Sequence, residues 1–194
     1  MNIVGNKIYI KILFFGTALA GKTTALQWLF KNLIPFEMKI TEKVRSIKTS
    51  FGQTLLFDFV PIQVSNNIIV RIYTATGQDY YTSTRRMLFE EVDGIFFIID
   101  SQKKELEHNK EFVEEFRKHI TSIDNLKKAS VVVLFNKQDL EETHDPEYLK
   151  NELKLKKYSS WPSCAKSGMN LDTAFTSMLS DLLSKIKDIK TLRK

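Results

Sequence analysis

The sequence predicts an α/β fold: a six-stranded, mostly parallel sheet with one antiparallel edge strand and helices on both faces. Two observations carry that expectation. Apolar strand-like runs alternate with helical periods along the 194 residues, and Asn66-Asn67 lies between Val64 and Ile68 as a tight hairpin signal. Strand–helix alternation calls for parallel strands covered on both sides, and one hairpin makes one strand antiparallel. No repeat, low-complexity tract or linker divides the chain, so a single domain over residues 1–194 is expected, with a basic end over 185–194.

In chain order, Lys7–Phe15 reads as the first strand and Lys22–Asn32 as the first helix. Thr54–Val60 and Ile68–Thr74 are the hairpin strands, and Tyr80–Glu90 is the helix after them. Gly94–Asp100 is an apolar strand followed by a helix over Lys104–Ile120. Ser130–Phe135 and Ser159–Cys164 are the remaining strands. Between them Pro146–Leu153 is helical, with Asp145-Pro146 as cap and first turn. The last helix, Leu171–Lys187, places Leu171, Ala174, Phe175, Met178, Leu179 and Leu182 on one face at helical spacing.

Composition narrows the function classes. The longest apolar run near the middle, Ile95 to Ile99, falls far short of the roughly 20 residues a membrane-spanning helix needs. The one cysteine, Cys164, excludes an intrachain disulfide and agrees with a reducing compartment, so the cytoplasm is the expected location. The net charge of +6 gathers partly in Lys185, Lys187, Lys190, Arg193 and Lys194. Such an end suits a solvated helix terminus, or peripheral contact with an acidic membrane surface. His108, His119 and His144 have no Cys or His neighbours at ligand spacing, which argues against a transition-metal site.

In sheets of this kind ligands bind at the carboxyl ends of the strands, and three motifs fall there. Gly16-Thr17-Ala18-Leu19-Ala20-Gly21-Lys22-Thr23, with Thr24 beside it, is a complete G-x-x-x-x-G-K-[ST] phosphate loop. Its glycines let backbone N–H groups aim at phosphate oxygens, Lys22 bridges the β- and γ-phosphates, and Thr23 ligates Mg2+. Asn136-Lys137-Gln138-Asp139 follows the fifth strand. A carboxylate there accepts both N1–H and N2–H2 of guanine, two donors that adenine lacks, leaving the wrong base facing an unpaired charge. Ser163-Cys164-Ala165-Lys166 follows the sixth strand, the Ala165 N–H meeting the guanine carbonyl and Lys166 packing beside it.

Ile8–Phe15 followed by Ala18-Leu19-Ala20 also has the form of a secretory leader with an A-x-A cleavage site. Cleavage after Ala20 would cut the phosphate loop in half. Three motifs in order at successive strand ends decide for a guanine-nucleotide-binding protein.

The residues "GKTTALQWLF", "QTLLFDFVP", "TATGQDYY", "VDGIFFIIDSQ" and "FNKQD" carry a closer likeness. Over roughly residues 7–190 the chain resembles the small Ras-like GTPases and, within them, the MglA family of prokaryotic polarity GTPases. The resemblance implies the small-GTPase fold and a switch that cycles between GTP and GDP with Mg2+. It implies a Roadblock-domain, MglB-like regulator that stimulates hydrolysis; no nucleic-acid partner is expected. It makes Thr54 the switch threonine that reaches Mg2+, Gly77 the γ-phosphate sensor, and Gln78 the residue that orients the attacking water, with Lys22 sharing the catalytic work.

The chain departs from that pattern at two positions. Gln53 stands where the MglA family has an arginine finger, a group worth on the order of 10³–10⁵ in rate. Arg45, Arg85 and Arg86 lie near enough in sequence to be substitutes. Ala18 replaces a common glycine, its methyl crowding the finger's place. Thr74 stands where most small GTPases have an aspartate holding a Mg2+-bound water, and with the F-D-F-x-P second strand it is a feature of the resemblance to MglA rather than to Ras proper. Asp58 is the candidate replacement for that aspartate. If the hairpin is centred near Asn66, residue 58 pairs opposite residue 74 on the same face; a centre between Asn66 and Asn67 puts them on opposite faces. The alternative for Asp58 is a solvent-facing edge position or a pair with Lys7 or Lys11. A slow GTPase switch is the leading expectation and a non-hydrolysing GTP-binding scaffold the second. Asn136 and Asp139 disfavour an ATPase or kinase.

Overall fold

The computed structural model describes residues 1–41, 45–47, 57–75 and 82–192. Among them one sheet contains eight strands: β1 (Asn2–Val4), β2 (Lys7–Phe15), β3 (Arg45–Ile47), β4 (Phe57–Ser65), β5 (Ile68–Thr74), β6 (Gly94–Asp100), β7 (Ser130–Asn136) and β8 (Ser159–Pro162). Its helices are α1 (Lys22–Trp28), α2 (Thr82–Phe89), α3 (Leu106–Ser122), α4 (Pro146–Glu152) and α5 (Leu171–Leu192). The strand order is β3-β4-β5-β2-β6-β7-β8, and β1 pairs with β2 off this path. Strands β5, β2, β6, β7 and β8 run parallel, whereas β1–β2, β3–β4 and β4–β5 are antiparallel.

Five of the six expected strands are present close to their expected limits; of the sixth, expected over Thr54–Val60, residues 54–56 lie outside the described residues and β4 runs on past Val60 to Ser65. Two more strands join them that the sequence hides. β1 and β3 have three residues each, too few to show a two-residue period. Because β3 pairs outside β4, the antiparallel strand expected at the edge lies one place inward. Helix α1 ends earlier than expected, passing into a π turn over Leu29–Leu33, and α5 runs past Lys187 to Leu192. Asp145 caps α4 as its position suggests, its carboxylate accepting Glu147 N–H at 2.8 Å and Tyr148 N–H at 3.1 Å.

Both faces of the sheet are covered. Ile10, Ile12 and Phe14 of β2 face one core, closed by Leu26 and Leu29 beside α1 and by Phe175, Met178 and Leu182 of α5. Leu13 and Phe15 face the other, closed by Phe89 of α2, Phe112 and Phe116 of α3, and Leu149 of α4. The Phe15 ring meets Phe89, Phe97 and Phe112 with centroids 5.0, 5.3 and 5.4 Å apart. Removing such a ring costs about 3–5 kcal/mol. Strand β6 is buried along its whole length, as a central parallel strand must be.

The hairpin resolves the register question in an unexpected way. Ser65 pairs with Ile68, so the turn itself is centred between Asn66 and Asn67, but Gln63 pairs with Ile69 and Phe59 with Tyr73. Val64 is an extra residue, a bulge that moves the rest of the ladder onto a centre at Asn66. Neither Asn66 nor Asn67 has the positive φ of a mirror-image hairpin turn, and a bulge supplies the added strand twist that such a turn would give. The shifted ladder brings Asp58 opposite Thr74.

Candidate nucleotide-binding site

The phosphate loop leaves the end of β2 and passes over β6 and β7. At Gly16 a Cβ would lie 2.1 Å from the Ile98 carbonyl oxygen, and at Gly21 one would lie 2.3 Å from Asn136 Nδ2. Both glycines are needed for close approach. Lys22 crosses the loop, its Nζ donating to the Gly16 carbonyl at 2.8 Å and the Thr17 carbonyl at 2.6 Å. Ala18 and Leu19 form the exposed tip, Leu19 in the left-handed region at φ 59°. The Thr17 hydroxyl is buried below it. No side chain caps α1, whose first-turn N–H groups point toward the loop.

Asn136 ties the three motifs together. Its Nδ2 donates to the Ala20 carbonyl at 2.7 Å, and its Oδ1 accepts the Ala165 N–H at 2.8 Å and the Ser163 hydroxyl at 3.4 Å. The side chain is buried, and its bonds hold the phosphate loop against the loop that follows β8. Ser163 is a second brace: its N–H donates to Phe135 O at 2.8 Å, and its carbonyl accepts Gln138 N–H at 3.1 Å. Cys164 is buried, and its carbonyl closes the following turn by accepting Gly168 N–H at 2.8 Å. Asp139, Ala165, Lys166, Gly21 and Thr24 line one cleft of about 290 Å3, with Lys137 on its wall. Lys166 Nζ stands 4.0 Å from Asp139.

At the other end of the loop three oxygen-bearing side chains meet. Asp58 Oδ2 accepts the Thr23 hydroxyl at 2.6 Å and the Thr74 hydroxyl at 3.1 Å, while Asp58 N–H donates to Thr74 Oγ1 at 2.9 Å. This carboxylate is on the face of the phosphate loop, and the lysine alternative is not formed with Lys11. That ammonium donates to the Glu90 carbonyl at 2.7 Å. The switch positions Gln53, Thr54, Gly77 and Gln78 lie outside the described residues, as do the side chains of Arg45 and Arg85; Arg86 is exposed on α2.

The model of the ADP-ribosylation factor family matches residues 1–182. The chain belongs to that family. It is accordingly a small GTPase, a GTP-binding switch that hydrolyses GTP to GDP and phosphate. It is similar to the mutual gliding-motility protein MglA of Myxococcus xanthus (strain DK1622), 29% identical over 192 residues, which cover 96% of this chain and 97% of that protein. It is also 29% identical over 189 residues to ADP-ribosylation factor-like protein 14 of Mus musculus, covering 93% of this chain and 89% of the relative. The likeness to MglA carried by the strand-end motifs thus extends through nearly the whole chain.

In this Arf-family GTPase one group beside the cleft that Asp139 lines belongs to none of the three motifs. Asp100, the last residue of β6, is buried with its carboxylate 2.5 Å from Lys137 Nζ. A lone aspartate closing an apolar run gives no sign in the sequence that it will meet a motif residue from the next strand. Among the described residues no helix is long and apolar enough to cross a membrane.

Proposed function

We propose that this GTPase binds GTP and GDP with Mg2+, reads guanine through Asp139 and the Ala165 N–H, and hydrolyses GTP slowly when alone. The observation that carries the reading is Asn136, which joins Ala20 of the phosphate loop to Ala165 of the base loop through one buried side chain. A nucleotide spanning those loops would have its phosphates at Gly16–Thr23 and its base at Asp139.

Thr23 and Asp58 offer the hard oxygen donors that Mg2+ prefers, so the residues fit the ion. Thr23 would hold it directly and Asp58 would hold one of its waters, with Thr54 as the switch ligand. The bound ion supplies neutralisation of phosphate charge. Thr74 orients Asp58 by its two hydrogen bonds, which is the work left to it once the family's usual aspartate is gone. Gln78 is assigned the orientation of the attacking water, and Gly77 the sensing of the γ-phosphate.

Gln53 cannot neutralise developing charge, which supports slow intrinsic turnover and an outside source of the finger. A Roadblock-domain, MglB-like regulator in the cytoplasm is the proposed stimulator, on the strength of the likeness to MglA. The basic residues of 185–194 leave peripheral membrane contact as a second docking mode. The second expectation, a GTP-binding scaffold that does not hydrolyse, which Gln53 and Thr74 favour and Gln78 opposes, gives way to the membership of a GTPase family. Phosphate release from GTP, measured with and without the regulator, tests the proposal: slow turnover that the regulator speeds supports it, and turnover that is already fast alone or that the regulator leaves unchanged contradicts it.

A further inference from the structure

We propose that Asp100 is a positioning residue for guanine-nucleotide retention: its carboxylate anchors Lys137 as a fixed wall of the base cleft. The inference rests on the base-reading role proposed above for Asp139 and the Ala165 N–H.

Asp100 is 1% exposed, and a carboxylate so placed is costly unless charge and hydrogen bonds compensate it. Both are present. Lys137 Nζ lies 2.5 Å from Oδ2, while Oδ1 accepts Gln102 N–H at 3.1 Å and Gln102 Nε2 at 3.2 Å. The backbone beneath is clamped by the buried Asn109 of α3, whose Nδ2 donates to Asp100 O at 2.8 Å and whose Oδ1 accepts Asp100 N–H at 3.3 Å. In the β6–β7 ladder Asp100 pairs with Asn136, so the anchor stands beside the residue just before Lys137.

Lys137 needs such an anchor. Its backbone is left-handed at φ 70°, a region that few residues other than glycine occupy. Its stem separates the base cleft from a second cleft of about 320 Å3 lined by Thr17, Ala18 and Asp100. A free lysine has four rotatable carbons and a hydrated head that samples many positions. Tied to Asp100, the stem is ordered before the base arrives, and less conformational freedom is lost on binding.

The probe is N-methylanthraniloyl-GDP, chased with unlabelled GDP in the presence of Mg2+. Asp100→Asn and Lys137→Met are each expected to speed dissociation on the order of tenfold, and the double variant to be no faster than the faster single. Lys137→Arg, which keeps the ion pair, is expected to stay within about threefold of wild type. Met keeps the apolar stem and loses only the anchor, so the Lys137 arms decide the matter even if Asp100→Asn fails to fold. Single effects that multiply in the double variant overturn the proposal, as does Lys137→Met dissociating like wild type. Asp139→Asn is the control: if it leaves dissociation unchanged, the base-reading assignment has failed rather than the anchor.

Discussion

Asp58 Oδ2 sits 2.6 Å from the Thr23 hydroxyl, across from Thr74 on the neighbouring strand. Two residues separated by 35 positions in the chain meet there because a single extra residue, Val64, shifts the hairpin ladder. Without the bulge, Asp58 would turn to the other face of the sheet.

Asp58→Ala is therefore expected to weaken Mg2+-dependent GTP binding by about 10–100-fold, the usual effect of removing a group that orients metal-bound atoms. Mg2+-free GDP binding should barely change. Adding Thr74→Asp should recover much of the loss, since the carboxylate merely crosses the strand pair. Titrating Mg2+ against each variant checks this; a single variant that titrates like wild type makes Asp58 a structural residue.

Asn136→Ala leaves the Ala20 carbonyl and the Ala165 N–H without their partner inside a buried bracket. At about 1–3 kcal/mol for each of the two groups left unsatisfied, the loss is on the order of 2–6 kcal/mol. Thermal unfolding should fall by roughly 2–4 °C per kcal/mol for a domain of this size. Asn136→Asp sets a carboxylate oxygen against the Ala20 carbonyl where the amide donated, so it should be at least as destabilising as alanine.

A substitution at Gly168 tests the packing behind the loop that follows β8. Its φ is 84°, and a Cβ would lie 1.9 Å from the Trp28 ring, so Gly168→Ala must displace that ring or the loop. The expected result is a loss on the order of 1–3 kcal/mol, with a change in tryptophan emission. Lys166→Ala, a change to an exposed side chain of the same loop, should leave that emission as it is.

Wild-type turnover without partners should be well below the typical range of about 1–10³ per second, since the finger position holds Gln53. Gln53→Arg is expected to raise it. If that variant stays flat while a Roadblock-domain protein speeds the wild type, the catalytic cation comes from elsewhere. Single-turnover GTP hydrolysis distinguishes the cases.

What was legible in the sequence followed from pattern length. β2, β5 and β6 match their expected limits because seven to nine apolar-rich residues define a strand unaided. The phosphate loop and the Asn136–Asp139 motif were legible because each needs fixed residue types at fixed spacing. β1 and β3 were not, since three residues carry no period. The Val64 bulge was equally hidden: the Asn66-Asn67 signal locates a turn, while an extra residue beside it is set by how the two strands twist against each other. The Asp100–Lys137 pair depends on the alignment of β6 with β7, a relation between distant segments that neither segment announces.

The most direct test is thermal protection by nucleotide. With Mg2+, GTP or GDP at about 1,000 times its dissociation constant adds about 4 kcal/mol to the native state. At roughly 2–4 °C per kcal/mol this is a rise on the order of 8–16 °C. ATP at the same concentration should give little, and Asp139→Asn should remove most of the GTP effect while leaving the nucleotide-free melting point unchanged. Equal protection by ATP and GTP, or full GTP protection of the Asp139→Asn variant, would contradict guanine reading at this site.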